Sequence, residues 1–121
     1  MPHRYVIIGT GGAGLAAAEA IRYGDPDGSI AIFGDDPHGF YSRPGIAYYL
    51  TGEMSKKQLS LRQGECFKIS LAPVTVVRPE AHVIVADGKE HTYDRLLLAT
   101  GSVAVGLSIP GADLKGVIKL V

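Results

Sequence analysis

The sequence predicts an α/β fold: a parallel sheet with helices, a small antiparallel β-meander inserted into it, and a truncated end. Three observations carry this expectation. Tyr5–Ile8 is a short apolar run that stops at Gly9, and an alanine-rich segment follows with no helix breaker until Gly24. Ile30–Phe33 and Leu96–Ala99 are further short apolar runs bounded by turn residues, which read as buried strands. Between these two runs lie three strand-like segments separated by turn signals. Strand, helix and strand in that order form a βαβ unit, so the parallel part is Rossmann-like.

The first strand ends in Gly9-x-Gly11-x-x-Gly14, with Gly12 and Ala13 completing the turn. This is the strand, tight turn and helix that hold the pyrophosphate of a dinucleotide. Gly9 turns the chain out of the strand, Gly11 lets phosphates approach the backbone, and Gly14 lets the helix pack close to the sheet. The helix N-terminus then offers free N–H groups and the positive end of its dipole to an anion. The helix is predicted over about Ala13 to Tyr23, rich in alanine, with Gly24 as its C-terminal cap. Asp25-Pro-Asp-Gly28 is a turn, and Ile30–Phe33 is the second strand, expected beside the first.

Asp35 follows that strand, 21 positions after Gly14. The dinucleotide fingerprint places an acid about 20 residues on, where it accepts hydrogen bonds from the adenosine ribose. Asp36 is the neighbouring candidate, and a carboxylate at either position would repel a 2′-phosphate. The alternative is that both are ordinary solvated loop acids. Further on, Arg43-Pro44 reads as a helix start with Pro44 in the first turn, and Ile46, Ala47, Tyr49 and Leu50 follow at helical spacing. A cation at a helix N-terminus gains nothing from the dipole. Arg43 therefore faces either an external anion, such as a cofactor phosphate, or Asp35 or Asp36 as a surface partner.

Met54–Leu61 reads as a polar loop and Gln63–Ser70 as a helical turn carrying Cys66 and Phe67. Val74–Val77, His82–Ala86 and Glu90–Tyr93 are strand-like, the last two joined by an Asp87-Gly88 hairpin signal. They form an antiparallel meander expected to cover one end of the parallel sheet. Leu96–Ala99 is a buried strand whose Thr100-Gly101 turn would lie beside the first glycine turn, bringing a second loop of small residues to the ligand. Ile109–Asp113 is a loop, and Gly116–Val121 starts a further apolar segment at which the chain ends.

Composition excludes several function classes. The 121 residues carry 12 basic and 12 acidic side chains, for a formal net charge of zero, and the longest basic run is Lys56-Lys57. That argues against nucleic acid or an anionic membrane as a partner. No apolar run has the length of a membrane span, and the run before Gly9 is too short for a signal peptide. A cytoplasmic location is therefore expected. Cys66 is the single cysteine, so the chain holds no internal disulfide and no cysteine-based metal set. The four histidines have no metal-ligand spacing, and neither Ser42 nor Ser102 sits in a nucleophile elbow.

Four landmarks, in order, carry a family resemblance: Val6–Gly14; Phe33–Asp36 with Tyr41-Ser-Arg-Pro44; Asp87-Gly88 with Tyr93-Asp94; and Leu98–Ser102 with Ile109–Asp113. Together they resemble the N-terminal FAD-binding portion of pyridine nucleotide–disulfide oxidoreductase-like flavoproteins, among them the ferredoxin or rubredoxin reductases and the NAD(P)H-nitrite reductase type. The resemblance implies an FAD held at its pyrophosphate by Gly9, Gly11, Gly12, Ala13 and Gly14 and at its ribose by Asp35 or Asp36. It puts Arg43 along the cofactor, the backbone of Val74 near the adenine, and Ala99, Thr100 and Gly101 near the pyrophosphate. It names no catalytic side chain and no metal ligand in this chain. The partners it implies are NAD(P)H and an electron acceptor, with oligomerisation left open.

Two departures from the family pattern stand out. Members with a redox cysteine carry it just before a Gly-Ile-Ala-like helix start; here Pro44 precedes Gly45-Ile-Ala47, and Cys66 lies elsewhere. Ferredoxin reductase relatives often have a lysine where this chain has Ala47. Residues 1–121 are accordingly read as the N-terminal part of an FAD-binding domain, without the NAD(P)H-binding and interface domains that follow in such proteins, and inactive alone. Two other readings are an NAD-binding regulatory module and a non-enzymatic remnant of the fold.

Overall fold

The computed structural model describes residues 2–60 and 67–119. Four strands form a parallel sheet in the order β3-β2-β1-β7: β1 (Arg4–Ile8), β2 (Ser29–Phe33), β3 (Lys68–Ser70) and β7 (Arg95–Leu98). β1 pairs with β2 from Arg4↔Ser29 to Ile8↔Phe33 and with β7 from Tyr5↔Arg95 to Ile8↔Leu98. A second sheet, β4 (Val74–Arg78), β5 (Val83–Ala86) and β6 (Lys89–Thr92), is an antiparallel meander. The fold is thus a Rossmann-like parallel sheet with an inserted meander.

Alternation along the strands separates two cores. Ile7, Ile30 and Ile32 face the helix α1 (Gly12–Gly24), where Ala18 is fully buried against them. Val6 and Phe33 point the other way, onto Ile84, Ala86 and Tyr93. Successive strand side chains point to opposite faces, so one run of apolar residues serves both layers. The meander therefore covers a face of the parallel sheet, not one end of it as expected. Its strands have their own apolar side, and that side can be buried only against a broad sheet surface.

The Asp87-Gly88 turn has the form the sequence predicts: φ is +51° at Asp87 and +69° at Gly88. Positive φ at both central residues suits the twist of a two-residue hairpin. The β4–β5 connection contains a short 3-10 turn, Pro79–Ala81, closed by His82 donating to the Pro79 carbonyl at 3.1 Å.

Five other expectations are corrected. Gly24 is the last residue of α1 and Asp25 is its cap: the Asp25 N–H donates to the Ile21 carbonyl, and its carboxylate accepts from the Gly28 N–H and the Tyr5 hydroxyl. The turn after the helix is held by these side-chain bonds, and by Arg22 donating to the Pro26 and Gly28 carbonyls. Pro44 is not in a first helical turn, because Gly45 donates back to Ser42 and closes a turn, and α2 starts at Ile46 and runs to Leu50. Within Met54–Leu61, Lys56–Leu59 forms a short helix, α3, with a reciprocal Ser55–Gln58 capping box. Lys68–Ser70 is strand β3, parallel to β2, in place of the end of a helical turn. Residues 63–66 of that proposed turn, with Cys66, lie outside the described residues. β7 is an edge strand with Leu97 and Leu98 exposed, in place of the buried strand expected at Leu96–Ala99.

Candidate functional site

β1, β2 and β7 all end at one edge of the sheet, and Gly9 is where they converge. Its N–H donates to the Phe33 carbonyl at 2.7 Å, while the adjacent Ile8 carbonyl accepts from the Ala99 N–H at 2.8 Å. Gly9 has φ +124°, and a Cβ there would stand 1.9 Å from the Ala99 carbonyl oxygen. Only glycine fits such a backbone and such an approach. Gly14 is placed by the same packing: its Cβ would lie 2.3 Å from the Gly9 carbonyl oxygen, so the first turn of α1 rests on the glycine turn.

Gly11 meets the opposite surroundings. A Cβ there would find nothing within 4 Å. Gly11 is the N-cap of α1, no side chain caps the helix, and no acid lies in its first turn. The opening of the helix is therefore directed at open space with its dipole uncompensated, the arrangement that receives an anion.

That space is a cleft of about 490 Å³. Gly9, Gly11, Gly12, Ala13, Asp35, Asp36, Arg43, Ala99, Thr100 and Gly101 all line it. Gly14 lies buried behind the turn. Val74 lines an adjoining cavity of about 180 Å³, which shares Gly9, Asp35 and Thr100 with the cleft. The cleft and the adjoining cavity thus gather the predicted site residues except Gly14, which packs against the Gly9 carbonyl. Thr10, Leu98 and Ser102 line the cleft too and were not singled out. Thr10 and Ser102 could have been found as the polar residues inside the two small-residue turns.

The two acids differ. Asp36 is held by its own loop: its carboxylate accepts from the His38 N–H at 2.9 Å, and its carbonyl from the Gly39 N–H at 3.0 Å. Asp35 is exposed and borders both cavities. Asp36 is therefore engaged by its own loop, whereas Asp35 stands exposed between the two cavities. Arg43 sits over the Tyr41 ring, 5.8 Å from its centroid, and makes no ion pair among the described residues. Its backbone segment is anchored by buried Phe40 and by the Tyr41–Ser60 bridge. The cleft thus carries a cation without an ion pair among the described residues together with two carboxylates, suited to a ligand with both an anionic and a hydroxyl-bearing part.

A larger cleft of about 720 Å³ opens at the opposite edge of the sheet, lined by His3, Arg4, His82, Asp94 and Arg95 among others. Its charges are already spoken for. Arg4 donates through its backbone N–H and guanidinium to Asp94 and through its guanidinium to Thr92, and Arg95 donates to the Asp94 carbonyl. The Arg4 guanidinium and backbone N–H hold the Asp94 carboxyl far below the usual carboxylate range. In parallel α/β sheets ligands bind beyond the carboxyl ends of the strands, so the smaller cleft is the candidate site. Among the described residues no group of three His, Cys, Asp or Glu could hold a metal ion, and no helix is long and apolar enough to cross a membrane.

Comparison with known proteins shows the family along nearly the whole chain. Residues 3–121 match the family described as pyridine nucleotide-disulphide oxidoreductase. Rhodocoxin reductase of Rhodococcus erythropolis is 37% identical over 120 residues, covering 93% of this chain and 28% of the relative. Nitrite reductase [NAD(P)H] of Bacillus subtilis is also 37% identical over 120 residues, covering 93% of this chain and 15% of the relative. A solved ferredoxin reductase for the CYP199A2 system of Rhodopseudomonas palustris superposes with a TM-score of 0.80 at 27% identity, over 96% of this chain and 30% of that one. The chain spans less than a third of the length of each.

Proposed function

The chain belongs to the pyridine nucleotide-disulphide oxidoreductase family, and we propose that it forms the adenosine and pyrophosphate half of an FAD site in an NAD(P)H-dependent flavin reductase. FAD is the family's cofactor, and the residues present fit it. The observation that carries the reading is the single cleft that gathers the glycine turn, Asp35, Arg43 and Thr100-Gly101.

In this reading Gly11, Gly12 and Ala13 present backbone N–H groups to the pyrophosphate, and their lack of bulk lets it come close. Asp35 accepts from the adenosine ribose, and its charge disfavours a 2′-phosphate there. Arg43, which lines the same cleft, supplies the countercharge to the phosphates. Val74 lines the adjoining cavity, which receives the adenine. Thr100-Gly101 closes the cleft from the β7 side. When bound, FAD supplies the redox chemistry, taking hydride from NAD(P)H and releasing electrons to an acceptor; the protein binds and orients it. Pro44 precedes Gly45-Ile-Ala47, so transfer proceeds without a redox cysteine at that position. Relatives named as reductases of rhodocoxin and ferredoxin support a small iron–sulfur electron carrier as acceptor. A cytoplasmic setting supplies the reduced nucleotide.

The test is the visible absorption spectrum of the purified protein that contains this chain. The expected result is a flavin spectrum that bleaches on adding NADH or NADPH under anaerobic conditions. A colourless protein that takes up no FAD, yet binds NAD, would instead support a regulatory NAD module.

A further inference from the structure

We propose that Thr10 is a positioning residue that ties the pyrophosphate turn to the ribose acid, through its contact with Gly34; this rests on the FAD reading above. Gly34 is buried, and it directly precedes Asp35. Its N–H donates to the Ser70 carbonyl at the end of β3, at 3.1 Å. On its other side stands Thr10. A Cβ on Gly34 would lie 2.4 Å from Thr10 Cγ2, 2.8 Å from Oγ1 and 3.2 Å from Cβ. Gly34 has no positive φ, so space, not backbone conformation, requires glycine there.

The consequence is mechanical. Asp35 begins an exposed loop, and a loop acid can specify a ribose only if its Cα is fixed. β3 holds the Gly34 backbone from one side and the Thr10 side chain from the other. Thr10 lines the main cleft, and Gly34 lines the adjoining cavity. The contact therefore lies where the two spaces meet, beside the shared Asp35. The nearest atom is a methyl group, so the shape of Thr10 matters more than its hydroxyl.

The test uses the FAD-depleted protein that contains this chain, with ADP and 2′-deoxy-ADP as competing probes and a melting curve for every variant. Loss of a hydrogen bond to a carboxylate predicts that the unmodified protein favours ADP by roughly tenfold or more. Thr10→Ala and Gly34→Ala should each bring this ratio close to one. Thr10→Val, which keeps the shape, should retain it. The double variant Thr10→Ala/Gly34→Ala moves a methyl group across the contact and should recover the ratio relative to Gly34→Ala alone. A Thr10→Ala protein with the unmodified ratio, a Thr10→Val protein without it, or a double variant no better than Gly34→Ala overturns the proposal. So does a loss of affinity that is equal for both probes, which is what general destabilisation gives. If the unmodified protein binds FAD but does not distinguish the probes, this inference alone fails; if it binds neither FAD nor ADP, the FAD reading fails with it.

Discussion

Gly9 and Gly11 stand two positions apart and meet opposite surroundings. Gly9 combines φ +124° with a backbone oxygen 1.9 Å from where its Cβ would be, whereas Gly11 faces nothing within 4 Å. Gly9→Ala should therefore destabilise the fold by roughly 3 kcal/mol, through strain and overlap together. Gly11→Val should leave the melting temperature near that of the unmodified protein and abolish FAD binding. Thermal melts paired with flavin titration separate the two, and a Gly11→Val protein that still binds FAD would reject the phosphate contact. At the far edge of the sheet, Asp94 is held well below the ordinary carboxylate range, first by the Arg4 guanidinium and then by the Arg4 N–H. A depressed folded pKa means that its stabilisation is present above the unfolded value of about 3.9 and lost as pH falls through the folded one. Asp94→Asn should thus be less stable than the unmodified protein at neutral pH. The gap should close below about pH 4, as urea unfolding at a series of pH values would show.

At the scale of elements, the meander is the part with the clearest energetic consequence. Ile84 is fully buried in its central strand, in the same cluster as Val6 and Phe33 of the parallel sheet. Ile84→Ala should cost about 2–5 kcal/mol, from lost burial and the cavity left behind, measured as a lower urea midpoint. Its Asp87-Gly88 turn was legible in the sequence because two adjacent residues determine it. The strands β1 and β2 were legible for a similar reason, since continuous apolar runs report burial on both faces; β7 was legible as a strand by the same pattern, but it lies at the sheet edge with Leu97 and Leu98 exposed. β3 was not legible. It has three residues, Lys68–Ser70, with only Ile69 clearly apolar, and it becomes a strand by adding to the β2 edge. α3 was missed because its four residues carry no apolar period, although the Ser55–Gln58 box that starts it is a sequence signal.

Across the whole molecule, the candidate site is an effect of strand order. β7 starts at Arg95, far along the chain from Arg4 where β1 starts, yet the two strands pair in parallel with Tyr5 opposite Arg95. Parallel pairing on either side of β1 puts the turns after β1, β2 and β7 at one edge, where Asp35 and Thr100 meet the glycine turn. The sequence alone determined the glycine turn after the first strand, because three glycines between an apolar run and an alanine-rich helix leave little else for that backbone to do. It also determined that an acid follows the second strand at the right separation. How the two acids differ was decided by the tertiary structure, where both line the cleft but the His38 N–H engages the Asp36 carboxylate and Asp35 also borders the adjoining cavity. So was the face that the meander covers, and so was the contact of Thr10 with Gly34. Each of these depends on residues that are distant in sequence or turned toward each other only after the strands have paired, and no local pattern carries that information.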